Sequence, residues 1–160
     1  MEVIFTVYGE PQGKARPRVV RNRFTGKTVA YTPEKTKDYE ETVKEAFREE
    51  AYNQRLNVCC PFGSKPIYIG ITAAFRVPIT RNKKKIISGE ILPTKKPDCD
   101  NIAKIICDAL NGVAYDDDKQ IVALKVTKIY SAEPRVLVWV SDNKIFWEDF
   151  INYERNIIQR

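Results

Sequence analysis

Three features of the sequence predict an α+β fold in which one mixed sheet of about four strands packs against helices. Short runs rich in β-branched and aromatic residues, at 3–8, 67–77, 121–130 and 135–140, have the composition of strands. Three other stretches, 32–53, 100–112 and 145–158, repeat apolar residues at helical spacing. The resulting order, strand, helix, strand, helix, strand, strand, helix, is the pattern of an α+β domain. With 160 residues, 43% hydrophobic and 30% charged, the chain suits a single domain over 1–160.

Val3 to Tyr8 form the first strand, which Gly9-Glu10-Pro11-Gln12-Gly13 breaks. Lys14 to Tyr31 is an arginine-rich arm with a turn at Phe24-Thr25-Gly26-Lys27, folded as a loop or an irregular hairpin. Thr32 as N-cap and Pro33 as first helical residue open the next helix. Its core face is Tyr39, Val43, Ala46, Phe47 and Ala51, and its glutamates and lysines form the solvated side.

Residues 54–66 read as a loop, and Ile67 to Val77 as a strong strand that Pro78 ends. Residues 79–96 are basic around Arg81-Asn82-Lys83-Lys84-Lys85, which predicts a DNA-contacting loop. Strands 121–130 and 135–140 follow the central helix, joined as a hairpin across Ser131-Ala132-Glu133-Pro134. The first is partly apolar on both sides, as suits the sheet interior or an interface. Ile145, Phe146, Phe150, Ile151, Tyr153, Ile157 and Ile158 suggest a final helix.

The net charge of +6 favours a polyanionic partner. Its distribution is more informative: residues 11–37 hold eight basic residues against one acid, and residues 76–96 hold seven against one. Lys14, Arg16, Arg18, Arg21, Arg23, Lys83, Lys84, Lys85 and Lys96 are therefore candidates for phosphate contact. The absence of histidine excludes imidazole as base or ligand. Cys59, Cys60, Cys99 and Cys107 contain no C-x-x-C pair, which argues against zinc and for reduced thiols, with Cys99 assigned to packing. No apolar run reaches the roughly 18 residues of a membrane helix, and Met1-Glu2-Val3-Ile4-Phe5 lacks a signal peptide's basic start, so a cytoplasmic location is expected.

Against this basic background, six aspartates (98, 100, 108, 116, 117 and 118) fall between positions 98 and 118. If 97–100 is extended, Asp98 and Asp100 project from the same side and can share a metal. Ile102, Ile105, Ile106, Ala109 and Leu110 then mark one helix face, with Asp100 as N-cap and Gly112 as the stop. Asp100, Lys104 and Asp108 follow at i+4 steps on the other face, where Asp108 can pair with Lys104. An extended 113–118 reaches back far enough to bring Asp117 and Asp118 beside Asp98 and Asp100. Converging carboxylates suit Mg²⁺, with Mn²⁺ as a substitute, and metal-assisted phosphodiester hydrolysis, in which Lys104 steadies the phosphate.

The run Lys96-Pro97-Asp98-Cys99-Asp100-Asn101-Ile102-Ala103-Lys104, then Asp108-Ala109-Leu110-Asn111-Gly112, then Asp117-Asp118-Lys119-Gln120-Ile121, resembles the signature block of the RusA family of Holliday junction resolvases. Gly9-Glu10-Pro11, Lys14-Ala15-Arg16-Pro17-Arg18 and Tyr31-Thr32-Pro33 are similar to that family's start. These are crossover junction endodeoxyribonucleases of phages and prophages. The resemblance implies three aspartates as catalytic metal ligands, Asp98, Asp100 and one of Asp117 and Asp118, with Asp118 favoured, and Lys104 assisting. It also implies a homodimer that cuts four-way junctions by paired symmetrical hydrolysis. The alternatives are a non-catalytic branched-DNA-binding accessory protein with a structural metal site, a Ca²⁺-binding module, and a flap or fork nuclease.

Overall fold

The structure, a computed structural model, describes residues 1–21, 23–79 and 82–144. Strand β1 (Glu2–Tyr8) alternates strictly: Val3, Phe5 and Val7 are buried while the residues between them are not. A two-stranded antiparallel ribbon follows, β2 (Arg18–Arg21) with β3 (Thr28–Tyr31), so the arm is a regular hairpin. Helix α1 (Glu34–Asn53) buries Thr36, Val43, Phe47 and Ala51, and the Phe47 ring meets Phe5 edge-on at 5.7 Å. Thr32 is not its cap. β3 runs through Tyr31, leaving Thr32 as a link and Pro33 as the N-cap, with no side-chain cap bond.

Strands β4 (Ile67–Arg76), β5 (Ile121–Ser131) and β6 (Arg135–Ser141) join β1 in one mixed sheet of order β1-β6-β4-β5. β6 is antiparallel to β1 and to β4, and β5 is parallel to β4. The expected hairpin between 121–130 and 135–140 is therefore overturned, because β4 lies between those strands. The reason is burial. β4 carries no charge from Ile67 to Phe75 and is buried almost throughout, so it takes the interior. β5 carries Lys125 and Lys128 and exposes Val122 and Leu124, so it takes the edge. The 131–134 connection passes the end of β4, where the Val77 N–H donates to the Ser131 carbonyl at 3.2 Å.

The basic stretch after β4 contains a short helix, α2 (Lys83–Ile87), before α3 (Cys99–Leu110). α3 buries Ile102, Ile105, Ile106, Ala109 and Leu110, the face predicted from their spacing. Burying each Ile or Leu stabilises by about 1.5–3 kcal/mol, so the rotation of α3 about its axis is firmly set. Asn111 is its C-cap, and Gly112 follows in the left-handed region at φ +69°, donating its N–H to the Tyr115 carbonyl. α1 packs on β1 and on α3, and α3 reaches across to β5. The final helix expected over 145–158 lies outside the described residues. No described helix is long and apolar enough to cross a membrane.

Candidate active site

With one face of α3 committed to the core, Asp100, Lys104 and Asp108 line up along the other, each about 6 Å further along the axis. The first residues of β5 stand opposite. Between them lies a cleft of about 610 Å³. Its polar walls are Asp100, Lys104, Asp108 and Asp118, and its apolar walls include Ala103, Cys107 and Ile121–Leu124. Lys104 is exposed and, among the described residues, its ammonium has no ion-pair or hydrogen-bond partner, so the charge faces solvent at the cleft.

The start of α3 differs from the sequence expectation. Asp98, not Asp100, is the N-cap (φ −77°, ψ 157°), and the helix begins at Cys99. Asp100 lies in the first turn, where a carboxylate favours the helix dipole. The extended 97–100 geometry is thus overturned, since Cys99 and Asp100 are already helical. Helical rotation also turns Cys99 out to solvent rather than into packing. Asp98 makes no side-chain cap bond and is exposed, and it is not among the walls of the cleft.

The acidic triplet divides into three tasks. Asp116 accepts a hydrogen bond from Ser64 Oγ at 2.7 Å, which ties it to the loop before β4. Asp117 caps the 3₁₀ turn 118–120: its carboxylate accepts from the Lys119 N–H and pairs with Lys119 Nζ, both at 3.0 Å. These Lys119 contacts hold its carboxyl below the ordinary range. Asp118 alone of the three lines the cleft. Sequence reasoning missed the residue that sets this arrangement, Gln120. Its side-chain oxygen accepts from the Asp117 N–H at 2.8 Å, and its amide donates to the Gly63 and Lys65 carbonyls at 2.6 and 2.8 Å. The conspicuous Asp117-Asp118-x-Gln120 spacing was the available signal.

Behind the cleft wall at Cys107 lies Tyr115. Tyr115 is fully buried and its hydroxyl donates to the Cys107 carbonyl at 3.0 Å. Burial, reinforced by Asp108 and Asp118, pushes the Cys107 thiol up to about 12. Burial likewise raises the Tyr115 hydroxyl, with Cys107 and the same two carboxylates adding to it. Both groups are neutral near pH 7.

The N-terminal arm is seated on α3. A Cβ at Gly13 would lie 2.7 Å from Pro97 Cβ and 3.1 Å from Asn101 Cβ, so only glycine allows this approach. The Lys14 N–H donates to the Asn101 carbonyl at 2.9 Å. Lys14 Nζ pairs with Glu40 of α1 and with Asp108 of α3, the latter at 2.8 Å. Asp108 therefore pairs with Lys14, not with Lys104 as the i+4 spacing suggested. Partial burial works against the Lys14 charge, but hydrogen bonds and attraction from Asp108 and Glu40 outweigh it and raise its pKa.

The other basic candidates stand apart from these contacts. Arg16, Arg21, Arg23, Lys84, Lys85 and Lys96 are exposed; Arg18 opens β2 and Lys83 opens α2. Gly13 touches Pro97, so the arm carrying Arg16 and the loop ending at Lys96 meet at the first turn of α3. Lys128 of β5 donates to the Lys95 carbonyl at 2.5 Å, holding that loop against the sheet.

Among the described residues, no three His, Cys, Asp or Glu side chains gather closely enough to hold a metal by themselves. The donors are nonetheless hard carboxylate oxygens. Mg²⁺ is commonly held by one or two carboxylates, with water and substrate phosphate filling the remaining positions. Asp100 and Asp118 on the walls of one open cleft fit that mode rather than a closed cage.

A family profile described as endodeoxyribonuclease RusA matches residues 8–141. The chain is also 39% identical over 140 residues to "Uncharacterized protein YqaN" of Bacillus subtilis (strain 168), covering 86% of this chain and 94% of that protein. The matched span runs from the end of β1 to the end of β6 and includes the arm, the cleft and the acidic triplet.

Proposed function

Because the chain belongs to the RusA endodeoxyribonuclease family, we propose that it is a Mg²⁺-dependent, structure-selective nuclease resolving four-way DNA junctions by paired symmetrical phosphodiester hydrolysis. The observation that carries this reading is the cleft whose walls include Asp100, Lys104 and Asp118, on the helix at whose first turn the two basic segments meet. Asp100 and Asp118 would hold the ion, and Asp98 at the helix cap is the third candidate. A bound Mg²⁺ supplies positive charge at the scissile phosphate and a more acidic water.

The chain's own residues supply the rest. Lys104 offers an ammonium to the charge that builds on the phosphate oxygens during hydrolysis. With no histidine in the chain, the cleft's proton acceptors are carboxylates. Asp108 is compensated by Lys14, which leaves Asp100 and Asp118 as the carboxylates available to cation and substrate. Ile121–Leu124 provide an apolar wall for sugar and base. Asp117, engaged with Lys119, serves as the cap that presents Asp118.

A four-way junction is cut at two symmetry-related strands, which suits a homodimer with two identical clefts. The free edge of β5, the last strand of the sheet, supports an interface formed from strands. A cytoplasmic location follows from a DNA substrate.

The test is cleavage of a synthetic mobile four-way junction beside linear duplex and a three-way fork, in Mg²⁺ and Mn²⁺, by the wild type and Asp100→Asn. Paired symmetrical nicks in the junction alone, lost in the variant, are expected. Tight binding without any nicking would replace this reading with that of a non-catalytic branched-DNA-binding protein. Equal cutting of the fork would make the substrate a flap or fork.

A further inference from the structure

β4 and β5 run parallel from the paired residues Ile67 and Ile121, so the segments leading into the two strands lie side by side. One lead-in, 60–66, follows the loop after α1, and the other, 113–120, carries Asp118 to the cleft. Contacts of several kinds join them. The Cys60 N–H donates to the Val113 carbonyl at 2.7 Å, and the Phe62 N–H to the Ala114 carbonyl at 3.2 Å. Further along, Ser64 Oγ donates to Asp116 at 2.7 Å, and the Gln120 amide donates to the Gly63 and Lys65 carbonyls at 2.6 and 2.8 Å.

The two partners are unequal. On the loop side Phe62 is 1% exposed and belongs to the hydrophobic core. Gly63 follows at φ +54°, its N–H donating to the Cys60 carbonyl at 2.9 Å, so the accepting carbonyls are presented from an anchored turn. The Asp118 side is weaker by itself. Its 3₁₀ turn spans only 118–120, with internal bonds from the Gln120 N–H to the Asp117 carbonyl at 3.1 Å and from the Ile121 N–H to the Asp118 carbonyl. Hydrogen bonds of this type have poorer geometry than those of an α-helix, and Asp118 is exposed. Gln120 connects the weak turn to the anchored one. Its oxygen accepts from the Asp117 N–H while its nitrogen donates to the loop, so the side chain is held at both ends.

We propose that Gln120 is a positioning residue for Asp118, and that the 60–65 loop, with Ser64 holding Asp116, is the template against which it sets this metal-binding carboxylate. The proposal rests on the nuclease reading above and deepens it, by making a loop whose Gly63 is 57 residues away in sequence part of the site. An ion held by few carboxylates depends on where each one stands. Removing a group that orients a ligand carboxylate costs about 10- to 100-fold in metal affinity or activity. Gln120 is not among the walls of the cleft. Its loss should therefore appear in the metal dependence and not in the affinity for DNA.

The test is single-turnover cleavage of the four-way junction by the full chain over a range of Mg²⁺ concentrations, with junction affinity measured over Ca²⁺ concentrations and in EDTA. Gln120→Met keeps the length of the side chain and removes its hydrogen bonds. It is expected to raise the Mg²⁺ concentration for half-maximal cleavage about 10- to 100-fold. The Ca²⁺ dependence of junction affinity moves in the same direction, and affinity in EDTA is unchanged. Ser64→Ala, at an exposed position, removes only the bond to Asp116 and shifts both midpoints by a smaller factor. Ser64→Thr restores the hydroxyl and with it the wild-type midpoints. A thermal melt of each variant separates a displaced carboxylate from an unfolded chain.

Wild-type midpoints in both Gln120→Met and Ser64→Ala would overturn the proposal, while continued junction cleavage by the wild type would leave the nuclease reading standing. If cleavage by Gln120→Met falls only in proportion to its unfolded fraction, at an unchanged midpoint, Gln120 belongs to the fold and the proposal is also overturned. A wild type that neither prefers nor cuts the junction would remove both readings together.

Discussion

The cleft between α3 and β5 stands on a helix whose inward face is wholly buried, whereas Val19 and Val20, on opposite faces of the β2–β3 ribbon, are both exposed. The cleft is acidic with one lysine, and its surroundings are fixed by Gln120, Gly13 and Lys14. The ribbon is entirely basic and is ordered mainly by its own pairing. Catalytic groups need positions held to fractions of an ångström, which a packed helix provides. A surface that follows a phosphate backbone needs charge and reach more than precision. Substitutions in the two regions should therefore fail in different ways.

The largest effect belongs to the cleft. Asp118→Asn is expected to lower the junction cleavage rate about 100- to 1,000-fold, with junction affinity in Ca²⁺ unchanged. Asp117→Asn, one residue away, keeps a capping side chain and loses only the pairing with Lys119. It should retain cleavage within about tenfold. Single-turnover cleavage with both variants decides the matter, and the reverse ranking would move the metal site to Asp117.

Next comes the seat of the arm. Gly13→Ala places a Cβ against the rigid Pro97 ring and the Asn101 side chain, and overpacking of this kind costs about 1–3 kcal/mol. Val19→Ser on the ribbon should stay within about 0.5 kcal/mol. Urea unfolding monitored by tryptophan fluorescence measures both. Equal losses would mean that the ribbon is as tightly packed as the cleft.

The same contrast explains what could be read in the sequence. The burial of Ile102, Ile105, Ile106, Ala109 and Leu110, and the exposure of Asp100 and Lys104 opposite them, follow from helical periodicity alone. The strands were legible individually from composition, but their pairing was not. A four-residue link at 131–134 looks like a hairpin, and only the greater burial of β4 places it between β5 and β6. The helix start was misplaced because Asp98 and Asp100 are equally good caps by residue type. The partners of Asp108 and Asp116 were invisible because Lys14 and Ser64 are distant in sequence. Asp117 and Asp118 are chemically identical in the sequence, and the contacts of Asp117 with Lys119 and Gln120 distinguish their surroundings.

A smaller effect separates Lys14 from the ribbon's cations. Lys14 reads in the sequence as one more phosphate contact, but its ammonium lies between Glu40 and Asp108. Arg21→Ala and Arg23→Ala should each reduce the slope of log affinity against log salt by about 0.9. Lys14→Met should leave that slope unaltered. Duplex binding measured at four salt concentrations gives the slopes, and a reduced slope for Lys14→Met would return that residue to the DNA surface.

The smallest effect is a pH dependence that only the buried cation should have. The Lys14 pKa is raised above its ordinary value of 10.5 in the folded chain, because Asp108 and Glu40 outweigh its partial burial. A raised pKa means that the unfolded chain releases this proton first as pH rises. The stabilisation is therefore complete below pH 10.5 and declines as pH climbs through the higher folded value. The difference in melting temperature between wild type and Lys14→Met should be constant from about pH 6 to 9 and should narrow above about 10.5. Other lysines and tyrosines titrate in both proteins and cancel in the difference. Arg21→Ala should show no such narrowing, since arginine remains charged throughout. A Lys14 difference that persists undiminished at high pH would assign its contribution to the packed methylene stem instead of the ion pairs with Glu40 and Asp108.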